Sequence, residues 1–339
     1  MNPEHTVTAI VPARNEEANI ARVVHSLAAQ PEIMQIFVVD DQSSDGTARV
    51  VTGLAAAEPR LRLIESGPLP DGWVGKNWAV WQGAQPASGR WLLFTDADAV
   101  HLPGSTARAL AAAEASGAAV ISYSPAQEMH TWWERAMIPF VYCRLSLLYS
   151  YDAVNDPRSP AAAANGQYLM IRRDAYDAIG GHAAVSSEVL EDVALAKRVK
   201  AAGLVLYFAP GPQIARVRMY TSFHAMWEGW TKNLFPLVTN SGQKMTRELL
   251  AVIPWIPLFC IALTPLHVAM GVLGLLLLAG RVAGYGAMLR RNRFPGWCVL
   301  YYLVGVALYV AALMASDLDY ARGKVSWKGR EYPVRHPSA

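Results

Sequence analysis

Two long stretches without a charged residue constrain this chain more than any other feature. Leu249–Gly280 and Trp297–Ser316 contain no Asp, Glu, Lys or Arg, whereas charged residues are frequent before residue 248. Segments of this length and apolarity can enter a bilayer only as helices, because hydrocarbon offers no partner to an unpaired backbone group. The sequence therefore predicts a head at residues 1–240, a membrane region at 248–318 and a basic tail at 319–339.

The number of membrane crossings stays open. Leu249–Gly280 is long enough for one tilted span or for a hairpin of two short ones, and three prolines interrupt it, whereas Trp297–Ser316 predicts a single span. Three full crossings would place one of the flanking basic groups on the non-cytoplasmic side of the membrane. The alternative is that one apolar segment is re-entrant. The basic residues that favour the cytoplasmic side are Lys244, Arg247, Arg290, Arg291, Arg293, Lys324, Lys328 and Arg330.

Composition excludes several classes of protein. A net charge of +3, with no basic stripe interleaved with aromatic residues, predicts no nucleic-acid partner. Cys143, Cys260 and Cys298 are far apart and odd in number, so we interpret them as buried apolar residues rather than a disulfide framework or a zinc site. The N-terminus lacks the basic and apolar regions of a signal peptide, which predicts a cytoplasmic head on a multi-pass protein of the inner cell membrane.

The head alternates between β-branched runs and helical patterns. This order predicts an α/β fold, a mainly parallel sheet with helices on both faces. Ligands of such sheets bind beyond the carboxyl ends of the strands, where polar groups follow here at Pro12–Glu16, Asp40–Ser44 and Asp96–Asp98. The predicted strands are Val7–Val11, Ile36–Val39, Leu61–Glu65 and Trp91–Phe94, and the predicted helices are Glu16–Ala28 and Gly46–Ala57.

Carboxylates dominate these polar groups. Asp96 and Asp98 follow a buried strand at a spacing that lets them share Mg²⁺ or Mn²⁺ with a diphosphate, although DxD by itself is more often a solvated turn. Asp41 opens a polar turn that suits a base or ribose, or equally an Asx turn. Glu191 and Asp192 lie in an amphipathic helical segment, as a carboxylate base or as acidic residues that complement the helix dipole.

Three further segments carry cationic or aromatic residues that suit a ligand or a membrane. Lys76, at a predicted helix start after Gly75, predicts a phosphate or ribose contact, the alternative being a surface lysine. The aromatic segment at residues 131–150 predicts a helix lying on the bilayer surface, the alternative being a core helix. Arg216 and Arg218, which flank Val217 on one side of a predicted strand, suit a phosphate, an anionic lipid or a solvated edge.

Four motifs, in this order, resemble the family 2 glycosyltransferases of GT-A fold over roughly the first 235 residues: VPARNEE at Val11–Glu17, VVDDQSSDGT at Val38–Thr47, TDAD at Thr95–Asp98 and LED at Leu190–Asp192. The resemblance implies inverting transfer from a nucleotide-diphosphate sugar, with a family bias to uridine. It implies nucleotide-sugar binding by Pro12, Arg14, Asn15, Glu16, Asp41, Lys76 and Asp96, metal binding by Asp96 and Asp98, and a base at Asp192 beside Glu191.

One family motif is incomplete. Where many members carry Gln/Arg-x-x-Arg-Trp, only Trp230 matches, which argues against a processive polysaccharide synthase. Trp230, His224 and Arg218 remain candidates for contact with the acceptor or the diphosphate. The end of the chain resembles that of membrane-bound glycolipid glycosyltransferases, so the expected acceptor is a membrane lipid hydroxyl. A polyprenyl-phosphate sugar synthase and a non-catalytic nucleotide-sugar-binding membrane protein are the alternatives.

Overall fold

The structure, a computed structural model, describes residues 3–238, 242–327 and 329–334. It divides into two compact units. The N-terminal unit comprises Met1–Glu128 and Tyr149–Met219, and the C-terminal unit comprises Met129–Leu148 and Tyr220–Ala339. In this division residues 129–148 and 220–238 group with the apolar helices. The predicted boundary between head and membrane region near residue 240 stays a prediction. Lys328, one of the basic residues of the tail, lies outside the described residues.

The described part of the chain forms strands and helices with the following bounds. The strands are β1 Val7–Ala13, β2 Ile33–Asp40, β3 Leu61–Glu65, β4 Trp91–Phe94, β5 Ala99–His101, β6 Val120–Gln127, β7 Leu169–Arg172, β8 Leu206–Val217, β9 Lys324–Trp327 and β10 Arg330–Pro333. The helices are α1 Ile20–Ala28, α2 Thr47–Ala55, α3 Gly75–Ala84, α4 Ser105–Ser116, α5 Trp132–Leu148, α6 Tyr151–Asn155, α7 Arg173–Ala178, α8 Glu191–Ala201, α9 Phe223–Val238, α10 Gly242–Val252, α11 Trp255–Ala262, α12 Val268–Arg291 and α13 Tyr302–Ala321.

The N-terminal unit is built on an eight-stranded sheet with the order β3-β2-β1-β4-β7-β6-β8-β5. Strands β7 and β5 run antiparallel to their neighbours, and the other pairs are parallel. Successive residues of β2 enter different cores, since Val38 packs in one buried cluster and Val39 in the other. Such burial on both faces explains the nearly continuous apolar runs of these strands. The predicted mainly parallel α/β fold is confirmed.

The first helix begins later than the sequence pattern predicts. Helix α1 starts at Ile20, not at Glu16. The amide of Glu16 donates to the Thr47 hydroxyl at 2.8 Å, and the amide of Glu17 donates to Asp45 Oδ2 at 3.1 Å. These tertiary hydrogen bonds hold the segment as a turn, so the predicted helix loses its first four residues.

In the C-terminal unit, α13 packs against α5 and α9. Pro236 lies inside α9, where it cannot donate to the carbonyl of Lys232. Tyr320 Oη donates to that carbonyl at 3.1 Å instead, and the Phe235 amide donates to Ser316 Oγ at 2.9 Å. Helix α13 thus satisfies backbone groups around the proline of α9.

Within the described residues, α12 and Gly296–Ala321 are long and apolar enough to cross a membrane. A bend of 53° separates α10 from α11, so this pair is either a broken span or a re-entrant loop. Helix α5 buries Met137 and Phe140 and exposes Trp132, and its expected position on the bilayer surface stays a prediction. All three cysteines are free and buried, as the sequence predicts.

Candidate active site

The polar segments that follow β1, β2 and β4 emerge at one edge of the sheet. Ala13 lies opposite Asp40 in the β1–β2 pair, and Ile10 lies opposite Phe94 in the β1–β4 pair. Because these strands are parallel neighbours, their carboxyl ends meet. The structure therefore brings the first three predicted motifs together.

Hydrogen bonds join the loops that carry the first two motifs. Arg14 Nη1 donates to the carbonyl oxygens of Asp41 and Gln42 at 2.7 and 3.2 Å. Asn15 adopts a φ of 54°, and its Oδ1 accepts from the Ser44 amide at 2.8 Å. The side chains of Arg14 and Asn15 thus shape the two loops, and Asp41 is buried between them at 5% exposure. Nucleotide binding by Arg14, Asn15, Glu16 and Asp41 stays a prediction.

A lysine bridges the third and fourth motifs. Lys76 is the second residue of α3, as predicted, and its Nζ lies 2.8 Å from Asp96 Oδ1 and 2.8 Å from Glu191 Oε1. Burial by itself would lower the pKa of this ammonium, but the carboxylates of Asp96, Glu191 and Asp192 outweigh burial and raise it well above its ordinary value. Lys76 is therefore a permanent positive charge among three carboxylates.

Asp192 lies beside this cluster in the first turn of α8. Its Oδ2 accepts from the Gly166 amide at 2.8 Å, and its Oδ1 accepts from the Val193 amide at 2.8 Å. Burial and the neighbouring charge of Glu191 raise the pKa of Asp192 to about 6, although Lys76 and the two amides oppose the shift. A carboxylate with this pKa can accept a proton near neutral pH.

Residues of the first, third and fourth motifs line one cleft together with Lys76 and with Gly166 of the neighbouring loop. Pro12, Asp96 and Glu191 lie in its wall, and Lys76 and His182 line it as well. Burial first, and then Lys76, lowers the pKa of His182 to about 3, so this imidazole is neutral. The cleft therefore presents the ammonium group of Lys76 and the carboxylates of Asp96 and Glu191 to a ligand.

The loop Asn165–Tyr168 is joined to the end of β4 and lies against the charge cluster, although it belongs to none of the four motifs. The Thr95 hydroxyl donates to the carbonyl of Gln167 at 2.8 Å, which ties the end of β4 to this loop. A Cβ atom on Gly166 would lie 3.0 Å from Lys76 Nζ and 3.3 Å from Glu191 Oε1. Only a residue without a side chain leaves the charge cluster undisturbed, and nothing in the local pattern of the chain signals this.

Asn77, which follows Lys76 in α3, holds the segment that precedes α8. It is fully buried, and its Nδ2 lies within 2.9–3.1 Å of the carbonyl oxygens of Val185, Ser186 and Glu188. These residues directly precede α8. Helix α3 therefore presents Lys76 to the cleft and also holds the segment that positions Asp192.

The donor set at Asp96 and Asp98 fits a hard divalent cation that is shared with a diphosphate. Both side chains offer carboxylate oxygens from one short connection between β4 and β5. In the described parts of the chain, no group of three or more His, Cys, Asp or Glu side chains could hold a metal ion. Magnesium is commonly bound by one or two carboxylates plus substrate phosphates, so a bound diphosphate would complete such a site.

The remaining predicted residues lie in different units. Arg218 follows β8 in the N-terminal unit and is half-buried, whereas His224 and Trp230 belong to α9 of the C-terminal unit. His224 is exposed in the first turn of α9, and Trp230 is buried against Tyr142 and Tyr220. Contact of these three residues with an acceptor or a diphosphate stays a prediction.

The sheet and the carboxylates at its edge define a GT-A-type fold. The chain is similar to a solved mannosyltransferase, PcManGT from Pyrobaculum calidifontis in complex with GDP-Man and Mn²⁺, with a TM-score of 0.55 and 18% identity over 92% of this chain and 86% of that chain. Residues 8–180 match the model of glycosyl transferase family 2, so the chain belongs to that family and is a glycosyltransferase. It is also 25% identical, over 97% of this chain and 88% of the relative, to the 4,4'-diaponeurosporenoate glycosyltransferase of Staphylococcus aureus (strain USA300).

Replacing Gly166 by Ala should lower kcat/KM for sugar transfer by about tenfold to a hundredfold, because the new methyl group displaces Lys76 or Glu191 by a few tenths of an ångström. The matched control is Gly53→Ala, since a Cβ atom at Gly53 meets nothing within 4 Å. Steady-state kinetics and the melting temperature of both variants test this expectation. Equal kinetics for the two variants would contradict it.

Proposed function

We propose that this glycosyltransferase transfers a sugar from a nucleotide-diphosphate sugar to a hydroxyl group of a membrane lipid, with inversion at the anomeric carbon. The observation that carries the proposal is the contact of Lys76 with Asp96 and Glu191 beside Asp192. This arrangement puts a positive charge for a leaving diphosphate next to a carboxylate that can accept a proton.

Lys76 supports the donor side of the reaction. An ammonium group at the start of a helix attracts a diphosphate through its charge, and the first amides of α3 add to that attraction. When the bond between the anomeric carbon and the diphosphate oxygen breaks, negative charge grows on the diphosphate. Lys76 stabilises this charge without having to change its own protonation state.

Asp192 supports the acceptor side. In a direct displacement, the acceptor oxygen forms a bond to the anomeric carbon as the leaving diphosphate departs, and the hydroxyl proton moves to an Asp192 oxygen. The amides of Gly166 and Val193 hold this carboxylate in one orientation. One displacement of this kind inverts the anomeric carbon and needs no covalent enzyme intermediate.

Asp96 and Asp98 would hold Mg²⁺ or Mn²⁺ together with the diphosphate. Such an ion, when bound, neutralises charge on the leaving group. Asp96 is also the carboxylate that contacts Lys76. The metal ion and the Lys76 ammonium, the two positive charges beside the diphosphate, would therefore both contact Asp96.

Two observations support a lipid acceptor. The described part of the chain contains two helices that are long and apolar enough to cross a membrane. It also aligns along almost its whole length with a relative that is named for the acceptor 4,4'-diaponeurosporenoate. A membrane-bound acceptor explains why the apolar helices accompany the catalytic fold, and the head is then expected on the cytoplasmic side of the membrane.

The proposal is tested by transfer assays on the full-length protein in bilayers, with a panel of UDP-sugars and GDP-sugars in the presence and absence of Mn²⁺. The acceptors are extracted lipid alcohols, lipid carboxylates and polyprenyl phosphates. Mn²⁺-dependent transfer to a lipid alcohol with an inverted anomeric centre is the expected result. Transfer only to a lipid carboxylate would contradict the hydroxyl acceptor, because a carboxylate needs no base to deprotonate it. Transfer only to a polyprenyl phosphate would replace the proposal by a polyprenyl-phosphate sugar synthase, and nucleotide-sugar binding without transfer to any acceptor would contradict it.

The raised pKa of Asp192 predicts the pH dependence of the reaction. A base acts only when it is deprotonated, so kcat/KM should fall about tenfold per pH unit below a pH of about 6 and level off above it. An aspartate with the ordinary pKa of 3.8 would place this limb about two pH units lower. A pH profile on protein whose melting temperature is followed in parallel tests this prediction, and a limb near pH 4 would contradict it.

A further inference from the structure

The C-terminal unit contains a short helical hairpin made of α11 and the first half of α12. The two helices approach closely, since a Cβ atom on Gly274 would lie 2.7 Å from the carbonyl oxygen of Pro257. Helix α11 has only eight residues, which corresponds to about 12 Å. The hairpin is therefore much shorter than two full membrane spans.

The tip of this hairpin has the character of a segment embedded in lipid. The connection Leu263–His267 contains no Asp, Glu, Lys or Arg, and His267 is its one ionisable residue. The side chains of Leu266 and Val268 are 73% and 72% exposed. The amides of Leu266 and His267 both donate to the carbonyl of Leu263 at 3.0 Å. A tip that satisfies its own amides and exposes apolar side chains suits hydrocarbon rather than water.

The base of the hairpin is polar. Arg281 Nη1 donates to the carbonyl oxygens of Ala251 and Val252 at 2.9 and 3.3 Å, at the end of α10, a helix that also carries Lys244 and Arg247. The 13 residue steps from Val268 to Arg281 correspond to about 20 Å of helix. The hydrocarbon core is about 30 Å thick, so the apolar part of the hairpin reaches through one leaflet and part of the other.

Helix α13 packs against charge-bearing helices along its length. Tyr309, near its middle, donates to Glu248 Oε1 at 2.8 Å, and Glu248 forms a bidentate ion pair with Arg144. If α13 crossed the membrane, this ion pair would lie near the bilayer centre, where charged groups are costly. The opposite face of α13 is apolar and exposed, at Leu303, Val304, Met314 and Leu318.

We propose that the C-terminal unit is anchored in the bilayer from the cytoplasmic side without crossing it. The α11–α12 hairpin re-enters on the side from which it came, and α13 lies along the interface with its apolar face toward the acyl chains. This topology places the basic residues at 244–247, 290–293 and 324–330 on one side, where the anionic lipid surface attracts them. It also resolves the conflict among the basic residues without placing any of them outside.

The proposal is tested by cysteine accessibility in sealed membranes, with a readout that does not depend on sugar transfer. Leu266→Cys and Val268→Cys probe the tip, Arg293→Cys and Lys324→Cys probe the two basic ends, and Thr52→Cys, on the exposed face of α2, marks the head. Each variant is treated with a bulky membrane-impermeant maleimide in spheroplasts and in inverted vesicles. The unsubstituted chain, whose three cysteines are buried, gives the background.

The expected result is that positions 52, 293 and 324 react only in inverted vesicles, whereas positions 266 and 268 react in neither preparation and become reactive in detergent. Reaction of position 266 or 268 from either side would overturn the re-entrant hairpin. Reaction of position 324 from the outside would overturn the interfacial placement of α13. Size-exclusion chromatography in detergent shows whether each variant folds. Because there are two tip variants, the test stays decisive if one of them fails to fold.

Discussion

Replacing Asp192 by Asn is expected to lower kcat for sugar transfer by a factor of about 10²–10⁴, the usual contribution of a general base, while the Kd for the nucleotide sugar stays the same. An amide of this size fills the same space but cannot accept the acceptor proton. Its NH₂ group cannot accept a hydrogen bond, so the asparagine oxygen keeps the bond from either the Gly166 amide or the Val193 amide and the other bond is lost. Removing a charge from beside Glu191 offsets part of that cost, and we expect the melting temperature to change little.

The measurement combines single-turnover transfer with donor binding by calorimetry. Asp177→Asn is the matched control, because Asp177 is exposed on α7 and contacts only Arg173, at 3.7 Å, among the ion pairs of the described chain. Full activity in the Asp192 variant would remove the base from the proposed reaction. A variant that loses donor binding as well would assign Asp192 to the donor site instead.

Replacing Lys76 by Met should weaken donor binding by about tenfold to a hundredfold, because it removes a half-buried cation that would pair with the diphosphate. The substitution also leaves Asp96, Glu191 and Asp192 without their shared cation. Because Lys76 lowers the pKa of Asp192, its removal should shift the acidic limb of the pH profile to higher pH. This second effect distinguishes an electrostatic role from simple loss of packing.

Calorimetric titration with the nucleotide diphosphate and pH profiles of kcat/KM measure the two effects separately. Lys197→Met is the matched control, because Lys197 is exposed on α8 and lies outside the cluster. Weaker binding with an unmoved pH limb would leave Lys76 as a phosphate contact only. Unchanged binding would exclude it from the donor site.

The sequence predicted the parallel half of the sheet closely. The bounds of β3 and β4 agree with the predicted strands, because β4 is a short apolar run bounded by polar residues and three of the five residues of β3 are Leu or Ile. The start of α1 was predicted four residues too early, since the amides of Glu16 and Glu17 bond to side chains about thirty residues further along. No local pattern contains that information.

The candidate site shows the same division between local and long-range information. Asp96 and Asp192 each lie within a recognisable motif, so each could be predicted as a site residue from the sequence. Their connection through Lys76, Gly166 and Asn77 joins segments that lie far apart in the chain. Contacts of this kind depend on the packing of β4, α3 and α8 and could not be predicted from spacing.

By itself, the sequence determined which segments become buried strands, which become apolar helices and which carboxylates follow the strand ends, since apolar runs and strand-end residues are local properties. The tertiary structure decided the pKa of Asp192, the pairing of Lys76 and the length of the α11–α12 hairpin. These properties arise from desolvation, from charges brought within a few ångströms and from helices that pack side by side. Each of them exists only once distant residues are in contact.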